Sequence, residues 1–301
     1  MDTIKHFENF RKFCKNVNLK LFSLYLGLSL IVPVITILVE YLVSRDPAFR
    51  TNLQLDLQNF HLYQLFTTSF VHLNFDHFLG NVTAYLLIII YGLVLATILN
   101  KKRLYLVLTK VIVVIFLVFG ALFALFNTTT TLYAGLSGID AALTGILLLF
   151  WIMYLEQKSK ETMKDIYGIV PVVLLAISAV IIVRYITLYQ SIRTPLFISV
   201  LILVVMALAG VTFVYREHLA RCYTAIKELD GKSRILMLTI VLVLLYFIWN
   251  LFPERLANST RSVSITLHIG CLVVGILAGW FLIMYFGTAA YFNWEKEIYS
   301  P

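Results

Sequence analysis

Ser137 stands in the run Tyr133-Ala134-Gly135-Leu136-Ser137-Gly138-Ile139-Asp140, where a Thr-rich stretch turns into an apolar segment. Glycines on either side leave its hydroxyl accessible and let another backbone come close. If Ser137 opens a helix, the unpaired N–H groups of that first turn can stabilise an oxyanion. The chemistry such a serine offers is nucleophilic acyl transfer, which requires a base within hydrogen-bond reach of the hydroxyl. The same residues also read as an ordinary Ser N-cap. They do not form the G-x-S-x-G elbow of soluble hydrolases, because the second glycine falls one residue early.

A candidate base lies far along the chain in Thr266-Leu267-His268-Ile269-Gly270, which continues to Gly275 and Gly279. Spacings of seven and four place the imidazole of His268 just above a glycine-lined helical stripe. Ser137, Ala141 and Gly145 form a second small face, and two such faces permit the close approach seen in G-x-x-x-G packing. Packing them together brings Ser137 toward His268. A third polar group, Phe70-Val71-His72-Leu73-Asn74-Phe75-Asp76-His77-Phe78-Leu79-Gly80-Asn81, holds His77 and Asn81 four residues apart. On a helix they share a face and aim donors at one place, with Asn74 or Asp76 as the cap. The plainer alternative is that both merely bond neighbouring helices.

The elements that position these groups must be membrane helices. Of 301 residues 60% are hydrophobic and 13% charged, about half the ~25% charged fraction of soluble domains. That excludes a water-soluble enzyme and predicts an all-α, polytopic helix bundle. Crossing a ~30 Å hydrocarbon core takes roughly 20 helical residues, and apolar runs of that order lie at 18–43, 76–99, 104–126, 137–155, 166–187, 195–215, 235–252 and 265–287. The expectation is therefore about eight transmembrane helices. It divides the chain into a cytoplasmic amphipathic segment 1–17, a membrane domain 18–287 and a cytoplasmic tail 288–301. The first apolar run lacks a cleavage site and is read as an anchor.

With the N-terminus inside, seventeen of the 24 cations fall on cytoplasmic segments, six fall outside, and Lys110 lies within a span. This asymmetry predicts cytoplasmic termini, and it accounts for the net charge of +8 without nucleic acid. Ser137, His268 and the His77–Asn81 pair then all sit near the outer face of a cell membrane. Residues 4–17 and 216–234 read as interfacial amphipathic helices on the inner leaflet, with partner binding the alternative. The apolar outer loop 44–75 is expected to dip into the bilayer. Cys14, Cys222 and Cys271 form no disulfide framework or CxxC site.

Together these residues resemble the rhomboid family of intramembrane serine proteases. The match consists of His72, His77 and Asn81 at spacings of five and four, the Gly135-Leu136-Ser137-Gly138 motif, and His268 with Gly275 on a late glycine-rich helix. The resemblance implies a rhomboid-like core in which Ser137 is the nucleophile and His268 its general base, with no acidic third member. It implies an oxyanion hole of His77, Asn81 and the Ser137 N–H, and a His72 that helps to order the first outer loop. The implied substrates are transmembrane proteins cleaved near the outer face. There are departures: three spans instead of one separate the serine and histidine helices, Gln64 replaces a usual arginine, and Ala141 stands where an aromatic residue commonly stacks on the histidine. Asp140 is expected to make a structural hydrogen bond.

Other classes are weaker. A rhomboid-like binder of transmembrane clients would be indicated by loss of the serine or histidine, and both are present. A transporter is disfavoured by the absence of a two-fold repeat. His61, His72, Asp76 and His77 lack a metal-site spacing, and no Walker loop or dinucleotide fingerprint occurs, so no metal or cofactor is expected. Water would reach Ser137 past Asn127, Thr128 to Thr131 and the Ser and Thr residues of 259–266.

Overall fold

In hydrocarbon each backbone amide must bond within its own segment, and each of the eight apolar runs forms a helix. The computed structural model describes residues 19–56, 59–72, 74–125, 132–133, 135–159, 169–188, 194–250 and 265–288. The amphipathic segment 4–17, the run 127–131, residues 259–264 and the tail beyond Thr288 lie outside the described residues. In chain order the helices are α1 (Leu19–Arg45), α2 (Pro47–Leu53), α3 (Gln64–Thr67), α4 (Phe75–Ile98), α5 (Lys102–Leu125) and α6 (Ser137–Ser159). They continue as α7 (Ile169–Leu188), α8 (Thr194–Val214), α9 (Arg216–Glu228), α10 (Gly231–Asn250) and α11 (Ile265–Thr288).

The fold is all-α, but the described residues do not give eight membrane crossings. Phe75–Ile98 and Ser137–Leu155 are long and apolar enough to cross, and a third is added if Ile198–Val214 and Arg216–Glu228, bent by 75°, count as one span. The number is therefore two or three. Among the described residues no other single helix is both long and apolar enough to cross. These long apolar helices suit the chain to membrane association.

α6 is the central element. Every residue from Ile139 to Phe150 is buried, as expected of a helix that is apolar all round. It packs against α4, α5, α9 and α10, and most extensively against α11. Glycine makes that last approach possible: a Cβ on Gly145 would sit 2.8 Å from both the Ile276 nitrogen and the Leu272 carbonyl oxygen, and one on Gly275 would collide with the Ala142 backbone. α7 and α8 pack chiefly on each other, whereas α10 also reaches α4 and α6. Between α6, α7, α10 and α11 lies an apolar cavity of about 220 Å³, lined by Thr144, Leu148, Ala176, Leu244 and Leu272 among others.

Residues 216–234 are not one amphipathic helix. α9 ends at Glu228, and Asp230 starts α10, its carboxylate accepting from the Ser233 N–H at 3.4 Å. Leu229 is buried against Leu155 and Met237, which turns the chain back into the bundle.

The loop between α1 and α4 is built. Asp46 caps α2, accepting from the Ala48 and Phe49 N–H groups at 2.9 and 3.3 Å, with Pro47 in the first turn. A two-residue antiparallel ladder pairs Leu55–Asp56 (β1) with Leu132–Tyr133 (β2), Leu55 opposite Tyr133. Gln64 supplies internal bonding: its carbonyl accepts from the Asp56 and His61 N–H groups at 3.4 and 3.1 Å, and its amide donates to the Asn52 carbonyl at 3.2 Å. Phe60, Leu62, Tyr63 and Phe66 point outward.

Candidate active site

The turn before α6 is fixed residue by residue. Gly135 has φ +116°, a conformation open to glycine at little cost, and its N–H donates to the Thr68 carbonyl at 2.9 Å. The Leu136 N–H donates to Nε2 of His72 at 3.4 Å. Both bonds come from the loop between α1 and α4, so that loop holds the turn that presents Ser137. The serine then opens α6, where first-turn amides lack intrahelical partners.

α11 brings His268 to this point. The ring is buried, 3% exposed, and its Nε2 lies 2.7 Å from the Ser137 Oγ. With the ring hydrogen on Nδ1, the hydroxyl donates to a bare Nε2, the geometry a general base requires. The packing beneath this pair sets the distance. A Cβ on Gly138 would touch the Cys271 Sγ at 3.4 Å, and one on Gly279 would meet Leu149 at 2.6 Å. Of the small face expected of α6, Ser137 and Gly145 meet α11, and Gly138 and Ala142 pack against it as well.

His77 and Asn81 lie on the first turns of α4, which Asn74 caps by accepting from the His77 N–H at 2.8 Å. The Asn81 Nδ2 is 3.2 Å from the His77 Nε2. They bond each other, so one amide hydrogen is spent on the ring nitrogen and the second remains for another acceptor. Both face the serine turn: a Cβ on Gly135 would lie 2.8 Å from the His77 Cε1 and 3.2 Å from the Asn81 Nδ2. The glycine is therefore required twice, by its φ and by these two side chains.

His72 is fully buried, edge-on to His77 and Phe78 at ring-centroid distances of 5.3 and 5.6 Å. It sits in the loop before α4, and burial pushes its imidazole down to about 3, with the charges of His77 and Arg50 acting the same way. The ring is neutral and can accept from Leu136. Asp140, one turn into α6, is also buried, and among the described residues neither carboxyl oxygen has a hydrogen-bond partner. The structural bond expected of it is not formed there. Its backbone carbonyl accepts from the Thr144 hydroxyl at 2.7 Å. Among the described residues no three His, Cys, Asp or Glu side chains converge as metal ligands; His61 stacks on Tyr63 in the outer loop.

Sequence reasoning missed Glu40 and Arg50. Glu40 near the end of α1 is buried and pairs with Arg50 of α2 at 2.9 Å, with its second oxygen facing His72. The available signal is that Glu40 is the single acidic residue in the apolar run 18–43, and an ionisable group in such a run marks a functional position by default. No protein family, curated relative or solved structure matches the chain.

Proposed function

We propose that this protein is an intramembrane serine endopeptidase with a rhomboid-like core and a Ser137–His268 dyad. The observation that carries the reading is the 2.7 Å approach of the His268 Nε2 to the Ser137 Oγ between residues 131 positions apart. In the proposed reaction His268 accepts the hydroxyl proton as Ser137 Oγ attacks a substrate carbonyl carbon. The free Asn81 N–H and the first-turn N–H of α6 receive the oxyanion, with His77 holding Asn81 in place. The Leu136 N–H takes no part, being engaged by His72. His268 then gives its proton to the leaving amine, and water releases the acyl-enzyme by the same path in reverse.

The substrate is a transmembrane helix that unwinds near the outer end of its span, with the active site on the outer face and both chain termini cytoplasmic. In this reading the α7–α8 pair, which packs chiefly on itself, is the insertion between the serine and histidine helices. Labelling by a fluorophosphonate probe tests the assignment directly. Wild type should label and cleave a model transmembrane substrate, and Ser137→Ala and His268→Ala should do neither. Label persisting in Ser137→Ala would overturn it.

A further inference from the structure

The apolar cavity between α6, α7, α10 and α11 takes no part in the proposed chemistry. Its one hydroxyl, on Thr144, is spent on the Asp140 carbonyl, so the lining is dry. A dry cavity of about 150 Å³ already holds a benzene-sized ligand, and this one measures about 220 Å³. Leu245, 47% exposed, stands in its lining. The cavity therefore opens on the side of the bundle, where in a bilayer the neighbour is lipid.

One end of the cavity meets polar groups. Val172 and Val173, the fourth and fifth residues of α7, line it, as does Trp151, four residues before the crossing stretch of α6 ends at Leu155. That depth is a membrane interface on the side away from Ser137, where an indole keeps its ring in hydrocarbon and its N–H near headgroups. The Trp151 Nε1 is buried and has no hydrogen-bond partner among the described residues. A basic corner adjoins it. Trp151 packs against the cluster of Leu155, Leu229 and Met237, and the Leu229 and Lys227 carbonyls accept from the Arg234 Nη2 at 3.2 and 2.8 Å. Arg234 keeps its Nη1 and Nε hydrogens for an outside anion, and Lys227 and Lys232 are exposed at the same corner. Of the two acids there, Glu228 and Asp230, the second is turned to the Ser233 N–H.

We infer that this cavity seats one acyl chain of an anionic phospholipid, whose ester oxygen accepts from the Trp151 indole and whose phosphate lies at the Lys227–Arg234 corner. A tail fills a dry, sideways-open gap between helices, which water does not enter, and the cations select the headgroup. The α7–α8 pair, which packs chiefly on itself, is then joined to the core partly through lipid. The inference goes beyond the protease reading and does not need it, resting only on the placement of the bundle in a membrane.

Trp151 is also the reporter. Full-length protein carrying Trp249→Phe, Trp280→Phe and Trp294→Phe keeps it as the single tryptophan, and in mixed micelles it is titrated with phospholipids brominated midway along their chains. Phosphatidylglycerol should quench Trp151 saturably, one lipid per chain, and bind at least about tenfold more tightly than phosphatidylcholine with the same chains, a preference that two or so nearby cations supply. Ala176→Phe, which fills the cavity from α7, should abolish the saturable phase. Lys232→Gln combined with Arg234→Gln should keep the depth of quenching and bring the two lipids within about twofold of each other. Quenching that rises linearly with bulk lipid, or that is the same for both headgroups, overturns the inference with no cavity variant required. Saturable quenching that survives in a folded Ala176→Phe protein does the same. A transmembrane peptide carrying bromophenylalanine that quenches where lipid does not would identify another occupant and also overturn it. None of these readouts uses Ser137, so the protease reading and the lipid site fail separately.

Discussion

Single residues decide whether the site exists. Gly135 combines a left-handed φ of +116° with a Cβ position 2.8 Å from His77. A left-handed conformation costs an L-residue roughly 1–2 kcal/mol, and the collision adds to it. Gly135→Ala should therefore yield a folded protein of somewhat lower Tm with at least about 100-fold slower turnover, the larger effect falling on rate because His77 and Asn81 are what the methyl displaces. A Gly135→Ala variant with wild-type turnover would contradict the site. His72 makes a pH prediction whose sign follows from its direction. Its folded pKa is depressed from 6.5 to about 3, so the stability it contributes is complete above about pH 6.5 and declines as pH falls toward 3. Melting followed from about pH 7 to about pH 5 should show Tm falling. In His72→Gln, whose carbonyl can accept from Leu136 without titrating, that slope should flatten.

Between elements, the α6–α11 contact sets the distance between Ser137 and His268. Gly275→Ala drives a methyl into the Ala142 backbone, which can yield only if the helices part, so we expect a loss of about 2 kcal/mol or more and slower probe labelling from a displaced His268. Gly270→Ala on the same helix meets nothing within 4 Å and should be neutral or stabilising by about 0.5–1 kcal/mol. Equal Tm changes in the two variants would show that the contact is not tight. The helices themselves were legible in the sequence: the expected run 76–99 is Phe75–Ile98, and 195–215 is Thr194–Val214. Long apolar runs leave the backbone little alternative. Local pattern could not say that Ala142, and not Ala141, meets Gly275, since both lie within the angular spread of one face. Nor could it reveal the Glu40–Arg50–His72 cluster, whose members sit 10 and 22 residues apart on three separate elements. The end of α9 at Glu228 was hidden for another reason: buried Leu229 continues the apolar stripe in sequence while breaking it in space.

For the molecule as a whole, the prediction is one of sidedness. The outer loop and the turn at Asn100 must lie on opposite membrane faces if α4 crosses once. In a cysteine-free background, a membrane-impermeant maleimide added to intact cells should label Asn59→Cys and leave Asn100→Cys unlabelled until the cells are opened. Labelling of both, or of neither, from outside would refute the topology. The two-residue ladder between Leu55–Asp56 and Leu132–Tyr133 acquires a mechanical meaning in this frame. It ties the loop to the strand that ends two residues before Gly135, alongside the Thr68 and His72 bonds. A pull on the loop is thus transmitted through these bonds to the turn that presents Ser137. On the protease reading proposed above, a site strung this way is disarmed when the loop is pulled out of place.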